Sequence, residues 1–338
     1  MTQGTELIPA EEAAARQQVT TLLSWERMAT RAYSENTRRA WRADWAIFQA
    51  FCTKLGTSSL PVDPMIVREF VLECVRAGKK PATIHRYLAT ITRAHQAIRE
   101  LNPCESEPVR LAIQEMKLTT SARQRQARAV GRTEIEDFLK NAGEGIRAIR
   151  ERALLCVAYD TMARRSEIIA MNLADLTLAP DGTGSMLIRR SKTDQKGEGA
   201  SSYLSQETIK HLKLWIDAAG ITEGAIFRRL HGRNHVGERL HAQAIADIFK
   251  RVARWVGWPA KHVKEVSGHS IRVGATQDLL ALNIDLASVM QAGRWKSTAM
   301  PMRYGENILA ARGGMARAAE LQGRNVGEFA VPDKSVRQ

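Results

Sequence analysis

The chain has 338 residues, 44% hydrophobic and 25% charged, which is long enough for two or three domains with hydrophobic cores. Its net charge of +14 and its pI near 10.0 predict a polyanionic partner, with nucleic acid as the first candidate. The four cysteines lack the spacing of a zinc site, and no segment resembles a signal peptide or a membrane span. We therefore expect a cytoplasmic protein with reduced thiols and no bound metal.

Residues 21–118 predict a compact helical domain. Ser34 can cap a first helix, in which apolar residues recur every three or four positions. Asp63-Pro64 opens a second helix, and a third runs from about Pro81 to Glu100. A shorter helix is expected over about Glu107–Lys117. The pattern indicates one bundle with an apolar core.

Arginines flank the apolar stripe of the first helix, and one more lies on the third helix. They are Arg38, Arg39, Arg42 and Arg86. Guanidinium groups clustered beside one apolar stripe favour contact with DNA phosphates. The alternative is an ordinary solvated helix face.

Residues 119–132 differ in composition from both flanking regions. They contain four arginines and no acidic residue: Arg123, Arg125, Arg128 and Arg132. We expect an extended basic linker that crosses a phosphate backbone, although an ordinary solvated linker is the alternative. Residues 1–20 are polar and are expected to form a flexible leader.

The second domain is predicted over residues 133–338. Thr133 can cap its first helix, and a buried helix is expected over residues 153–159. Glu167 then follows Arg164 by three positions and can orient its guanidinium, as a catalytic arginine requires. The alternative is a surface ion pair.

A β-hairpin is predicted after this segment. Asp181-Gly182 marks a turn, residues 186–188 form one strand, and residues 201–204 form its partner. Lys192 lies in the loop between the strands. A lysine there is usually solvated, but it can donate a proton to a leaving oxygen if the hairpin reaches DNA.

Residues 241–256 form the clearest amphipathic helix of the sequence. Its apolar stripe consists of Ile245, Ile248, Phe249, Val252 and Val256. The opposite face carries Gln243, Asp247, Lys250, Arg251 and Arg254. Amide and guanidinium groups are typical of a helix in the DNA major groove, and a solvated face is the alternative.

Residues 267–304 contain several groups suited to phosphate chemistry. His269 and Arg272 share one face if both are helical, with Ser267 and Gly268 as capping residues. A helix N-terminus with an arginine fork can hold phosphate oxygens. The Tyr304 hydroxyl can act as a nucleophile if neighbours stabilise its phenolate. The alternative is a surface arginine, a satisfied histidine and a packed tyrosine.

One ordered series of residues resembles the active-site set of the tyrosine site-specific recombinases: Arg164, Lys192, His269, Arg272, Trp295 and Tyr304. The resemblance covers nearly the whole chain. Its specific runs are Ser-Gly-His-Ser-Ile-Arg-Val-Gly-Ala and Met-Gln-Ala-Gly-Arg-Trp. It implies a mainly α, two-domain DNA clamp, in which an N-terminal helical core-binding bundle precedes an α-rich catalytic domain with a small β-sheet.

The resemblance also implies a reaction. Tyr304 would attack the scissile phosphate and form a 3′-phosphotyrosine with a free 5′-hydroxyl. The phosphate would be held by Arg164, Arg272, His269 and Trp295. Lys192 would protonate the leaving 5′-oxygen, and Glu167 would hold Arg164. No cofactor, metal or ATP would be needed, and the sequence lacks a G-x-x-x-x-G-K-[ST] loop.

The assembly implied by the resemblance is a homotetramer on two DNA sites, with a monomer free in solution. Each site would consist of inverted repeats flanking a spacer, and exchange would pass through a Holliday junction. A C-terminal helix would dock into the neighbouring protomer; the alternative is a helix packed on its own domain. Its apolar positions are Ile308, Leu309, Met315 and Leu321.

Two departures concern base reading. Where one member of that family carries an arginine that reads guanine, this chain has Gln243, and Ala246 stands where that member has glutamate. We therefore expect a different target sequence. Two other functions remain open: a type IB topoisomerase, and a catalytically silent DNA-binding protein.

Overall fold

The computed structural model describes residues 20, 27, 29–121, 123, 126–191, 197–232 and 235–325. The chain divides into two compact units, the first ending at Gln124 and the second beginning at Arg125. Both are mainly helical, and small sheets occur in the second, which confirms the predicted fold class. Within the described residues, each helix is too short or too polar to cross a lipid bilayer. The predicted leader lies almost entirely outside the described residues.

The first unit contains the four predicted helices: α1 (Glu35–Lys54), α2 (Pro64–Arg76), α3 (Pro81–Ala97) and α4 (Glu107–Thr119). Ser34 and Asp63 are the caps of α1 and α2, as expected, because their side chains accept hydrogen bonds from Thr37 N–H and Met65 N–H. A 3-10 turn at Pro103–Glu105 joins the last two helices.

The core of the first unit is built from the predicted apolar stripes. Its members include Phe48, Cys52, Val67, Phe70, Val71, Ile84, Leu88 and Ile91. One charged group is buried with them: Asp44 on α1 is 1% exposed and pairs with Arg86 over 2.8 Å. Burial raises the pKa of Asp44, while the charge of Arg86 opposes that rise. Arg86 therefore neutralises a buried carboxylate of its own unit.

The second unit contains eleven helices among its described residues. They are α5 (Arg132–Asn141), α6 (Ile146–Thr161), α7 (Arg165–Ala170), α8 (Gln206–Ala218), α9 (Ala242–Trp255), α10 (Ala260–Glu265), α11 (Ser270–Ala281), α12 (Leu286–Gly293), α13 (Ala299–Tyr304), α14 (Glu306–Arg312) and α15 (Gly314–Leu321). The buried helix α6 packs against α8 and α11, and its residues Leu154, Leu155 and Val157 lie at the centre of the core.

Three strands form an antiparallel sheet in the order β1 (Leu176–Leu178), β2 (Gly184–Ile188) and β3 (Ala200–Leu204). The β2–β3 pair is the predicted hairpin. Strands β4 (Arg228–His231) and β5 (His235–Arg239) form a separate ribbon that the sequence pattern did not indicate. Their arginine and histidine residues lack the apolar alternation of an ordinary strand.

The end of the predicted linker belongs to the second unit. Val130 is fully buried in that core, and its N–H donates to the Ser270 carbonyl over 3.1 Å. A Cβ at Gly274 would overlap the Val130 carbonyl, so a glycine is needed for this close approach.

The predicted Thr133 cap is wrong: α5 begins at Arg132, and Glu134 accepts the N–H of Gly131 over 2.9 Å.

Candidate active site

Arg164 is held by the helix that follows it. It precedes α7 in an extended conformation, and Glu167 lies in the first turn of that helix. The Glu167 carboxylate accepts from the Arg164 backbone N–H over 3.0 Å and from Nη1 over 2.7 Å. The expected contact between the two side chains is present, and Glu167 is buried, so this is an internal ion pair.

A second guanidinium shares the same carboxylate. Arg294 Nη2 donates to Glu167 Oε2 over 2.9 Å. Burial works to raise the pKa of Glu167, but hydrogen bonds from Arg164 and the charge of Arg294 lower it below its ordinary value. The two guanidiniums and one carboxylate leave a net positive charge at this position.

Arg272 on α11 is 3% exposed and is therefore not a surface residue. Its Nη1 donates to the Met162 carbonyl and its Nη2 to the Gly293 carbonyl. The Trp295 ring centroid lies 4.2 Å from its Cζ atom. Burial and repulsion from Arg164 and Arg294 lower the pKa of Arg272 to about 9, so it is protonated at neutral pH. An anion bound here would relieve that repulsion.

His269 is the N-cap residue of α11 rather than part of the helix. The predicted capping role of Ser267 and Gly268 is therefore wrong. Ser267 Oγ instead accepts the His269 N–H over 3.2 Å. The backbone of His269 is in the right-handed helical region and its carbonyl accepts the Val273 N–H over 3.0 Å, so a face shared with Arg272 stays a prediction. Partial burial lowers the pKa of His269, and the charges of Arg272 and Arg164 lower it further. Part of the residue is nevertheless exposed to solvent. The neutral imidazole is favoured at pH 7.

Tyr304 is the last residue of the short helix α13 and is half-buried. The ring of Trp295 lies edge-on to it, with 6.0 Å between the centroids. The Tyr304 carbonyl accepts from Gln277 Nε2 over 2.9 Å and from Gln126 Nε2 over 3.3 Å. Trp295 therefore contacts both Tyr304 and Arg272.

Lys192 and Arg125 lie outside the described residues. The loop that carries Lys192 leaves the sheet after Ile188 and returns at Ala200. Ser202 on the returning strand β3 accepts from Arg294 Nη1 over 2.7 Å. The base of the loop is thus joined to the Arg164–Glu167 pair through Arg294.

Several residues expected to contact DNA form ion pairs with carboxylates of this chain. Arg38 and Arg42 both bind Glu35, at 2.5 and 3.0 Å. Arg251 contacts Glu151, a buried carboxylate that also pairs with Arg150. Exposed members of the predicted set are Arg39, Arg42, Arg86, Arg123, Gln243 and Arg254, and Lys250 is half-buried. Contact of these residues with DNA stays a prediction.

Reasoning from sequence missed three residues of this cluster. Arg294, Gln277 and Gln126 contact groups that are remote in the chain, so their spacing carries no local signal. The only available indication was the position of Arg294 directly before Trp295.

Over the part of the chain that the structure describes, no group of three or more His, Cys, Asp or Glu side chains is placed to hold a metal ion.

The chain is similar to known proteins over most of its length. The chain is 27% identical over 307 residues to Recombinase cre of Escherichia phage P1, covering 86% of this chain and 89% of that protein. It is 27% identical over 295 residues to the integrase/recombinase xerD homolog of Selenomonas ruminantium, covering 83% and 84%. The structure of the Tn1549 transposon integrase with transposon right end DNA shares the fold, with a TM-score of 0.62 at 13% identity over 90% of this chain and 99% of that one.

Family models match both halves of the chain. The model described as phage integrase, N-terminal SAM-like domain matches residues 25–100. The model described as phage integrase family matches residues 129–308, which is more than half of the sequence. This protein belongs to the phage integrase family, the tyrosine site-specific recombinases.

Proposed function

We propose that this protein is a site-specific DNA recombinase whose nucleophile is Tyr304. The observation that carries the proposal is the grouping of Arg164, Trp295 and Tyr304 around Arg272. Among the described residues, the acidic group that contacts this cluster is Glu167, which is paired with Arg164 and Arg294. Such a cluster is suited to a phosphodiester, which gains negative charge on its non-bridging oxygens during attack. The basic net charge of +14 supports a DNA substrate.

The first step exchanges one phosphate ester for another. The Tyr304 oxygen forms a bond to phosphorus as its proton passes to solvent water, and the bond from phosphorus to the 5′-oxygen breaks. A 3′-phosphotyrosine and a free 5′-hydroxyl result, with Lys192 giving the proton to the leaving oxygen. Attack by the 5′-hydroxyl of the partner strand then releases Tyr304. The number of phosphate ester bonds does not change, so ATP is not required.

Phosphate binding is divided between charged and neutral donors. Arg164 and Arg272 would clamp the non-bridging oxygens, and His269 and the Trp295 indole N–H would add neutral donors. The lowered pKa of His269 keeps its ring neutral and able to donate without adding charge. Because the guanidiniums neutralise the developing charge, we propose a reaction independent of metal ions.

The end of the chain supports an assembly of protomers. Helices α14 and α15 contain no buried residue, and Met315 and Leu321 on α15 are 75% and 88% exposed. An exposed apolar surface is typical of a site that contacts another protein. We propose that α15 docks into a neighbouring protomer, linking four subunits on two inverted-repeat sites, with strand exchange through a Holliday junction.

We further propose that the catalytic domain is formed by residues 133–338, within the second unit, and that residues 21–118 of the first unit form a core-binding domain. The Tn1549 integrase, whose fold this chain shares, is seen with DNA, which supports DNA as the substrate.

Two alternative functions differ in what they predict. A type IB topoisomerase would use a similar residue set as a monomer, and a silent DNA-binding protein would form no covalent bond.

The test uses nicked suicide DNA carrying a site located by footprinting near the gene, in EDTA and without ATP. We expect a covalent protein–DNA band with the wild type and none with Tyr304→Phe, which should still bind the site. Tyr203→Phe is the matched control, because Tyr203 is 63% exposed on β3. Specific binding without any adduct would favour the silent DNA-binding protein. An adduct with relaxation but no strand exchange between two sites would favour the topoisomerase.

A further inference from the structure

Arg294 joins three segments of the second unit that are distant in sequence. Its Nη1 donates to the Thr161 carbonyl over 2.8 Å and to Ser202 Oγ over 2.7 Å. Its Nη2 donates to Glu167 over 2.9 Å, and the side chain is 9% exposed. One guanidinium therefore connects the end of α6, the strand β3 and the carboxylate that holds Arg164.

The backbone of Arg294 adds a second connection. It ends α12 in the left-handed conformation, with φ 54°, and so turns the chain between Gly293 and Trp295. Both neighbours contact Arg272: the Gly293 carbonyl accepts from it, and the Trp295 ring lies against it. A left-handed conformation costs a non-glycine residue free energy. Two backbone hydrogen bonds help to hold the corner, from Arg294 N–H to the Gln291 carbonyl over 3.0 Å and from Trp295 N–H to the Met290 carbonyl over 2.9 Å, and the side-chain contacts of Arg294 add to them.

We propose that Arg294 is a positioning residue for both phosphate-binding arginines, an inference that rests on the proposed recombinase function. Through Glu167 it fixes Arg164, and through the corner at residues 293–295 it fixes Arg272. Its terminal nitrogens donate to Thr161, Ser202 and Glu167 and, over 3.5 Å, to the Ala292 carbonyl. Arg272 uses each terminal nitrogen for one protein acceptor, so Arg294 has fewer N–H groups left for phosphate than Arg272 has. The shared carboxylate also moderates the repulsion between the guanidiniums of Arg164 and Arg294.

Arg294→Gly gives the cleanest test, because glycine adopts a positive φ without strain while the side chain is lost. We expect its single-turnover rate of adduct formation on suicide DNA to fall about 10- to 100-fold, the scale on which lost supporting contacts lower activity. DNA affinity should be unchanged. Arg294→Lys should recover part of the rate, because one ammonium keeps the charge but cannot reach three acceptors.

A double-mutant cycle with Glu167→Gln separates positioning from general destabilisation. If Arg294 acts through Glu167, the double variant loses less than the product of the two single losses. If the double variant loses the full product of the two single losses in rate, the inference is overturned. Arg152→Met is the matched control, because Arg152 also donates to three protein groups, the carbonyls of Leu139, Ala142 and Gly143, away from the cluster. We expect it to keep the wild-type rate.

The outcomes distinguish this inference from the proposed function. If the wild type forms no adduct, both the proposed function and this inference are contradicted. If the wild type forms the adduct and a folded Arg294→Gly protein matches its rate, the inference alone fails. Should circular dichroism show that Arg294→Gly is unfolded, the cycle is run with Arg294→Lys, and the same comparison of losses decides.

Discussion

The side-chain amide of Gln277 donates to the backbone carbonyl of Tyr304 over 2.9 Å. Gln277 lies on α11, the helix that also carries Arg272, and Tyr304 ends the separate helix α13. The amide therefore joins the proposed nucleophile to the helix of a phosphate-binding arginine. Gln126 reaches the same carbonyl over 3.3 Å from the segment that precedes α5.

Gln277→Ala should slow adduct formation by about 10- to 100-fold, since small displacements of a reacting group have effects of this size. DNA binding should not change, because the amide is occupied within the protein. The measurement is the single-turnover rate with saturating enzyme. Gln206→Ala is the matched control, because Gln206 donates an amide to the Asp181 carbonyl at an exposed position. A wild-type rate for Gln277→Ala would show that α13 is held by other contacts.

Gly293→Ala should disturb the contact between Trp295 and Arg272. A Cβ at residue 293 would overlap the Trp295 ring, so the ring must move. We expect a loss of about 1–3 kcal/mol in the free energy of unfolding, which is typical of overpacking. We also expect a lower rate of adduct formation. Urea unfolding measures the first effect. Gly143→Ala, whose Cβ would meet nothing within 4 Å, should leave both quantities unchanged; similar losses in the two variants would contradict the account.

Glu167→Gln should destabilise the protein by about 3 kcal/mol at pH 7, because it leaves two guanidiniums without their carboxylate. The pKa of Glu167 is lowered in the folded state, so its contribution is complete above the ordinary value of about 4.3 and is lost as the pH falls through the folded value. The difference between wild type and variant should therefore shrink in acid. Urea unfolding across that range measures it, and a difference independent of pH would contradict the pairing.

Glu136→Gln provides the control for that comparison. Glu136 pairs with Arg132 over 2.8 Å but is 44% exposed. Exposed ion pairs contribute about 0–1 kcal/mol, so this variant should show little destabilisation at pH 7. Equal losses of stability for Glu136→Gln and Glu167→Gln would show that burial of Glu167 does not increase its contribution to stability.

Local patterns predicted much of this structure. The caps Ser34 and Asp63, the stripes of α1 to α3 and α9, and the β2–β3 hairpin depend on neighbours in the sequence, so composition and period were sufficient. The contact between Arg164 and Glu167 is also local. The start of α11 was predicted one or two residues too early, because a helix start can shift by that much without changing the apolar period.

Contacts between distant residues had no such signal. Arg294 reaches Glu167 across 127 positions, and Arg272 was open to interpretation as a surface residue although it is buried. The pairing of Arg251 with Glu151, 100 positions away, was equally hidden. A basic helix face shows that cations are present, but only the packing shows which of them already have partners.

Gln243 is exposed near the start of α9, and we expect it to read a base. Gln243→Ala should weaken discrimination by about 1–3 kcal/mol at one or two base pairs and leave non-specific affinity unchanged. Binding to a library of single-base variants of the site measures this. Arg254→Ala is the comparison, and it should weaken all sequences alike and reduce the salt slope by about 1. A uniform loss for Gln243→Ala would make it a backbone contact.

The most direct measurement is the identity of the residue that carries DNA in the trapped covalent complex. The adduct is digested with protease and nuclease, and mass spectrometry locates the remaining nucleotide. The account predicts a single modified peptide with the phosphate on Tyr304, attached through the 3′ end of the cut strand. A nucleotide on Tyr203 or on any other side chain would contradict it, since Arg272 and Trp295 would then surround a residue that takes no part in the chemistry.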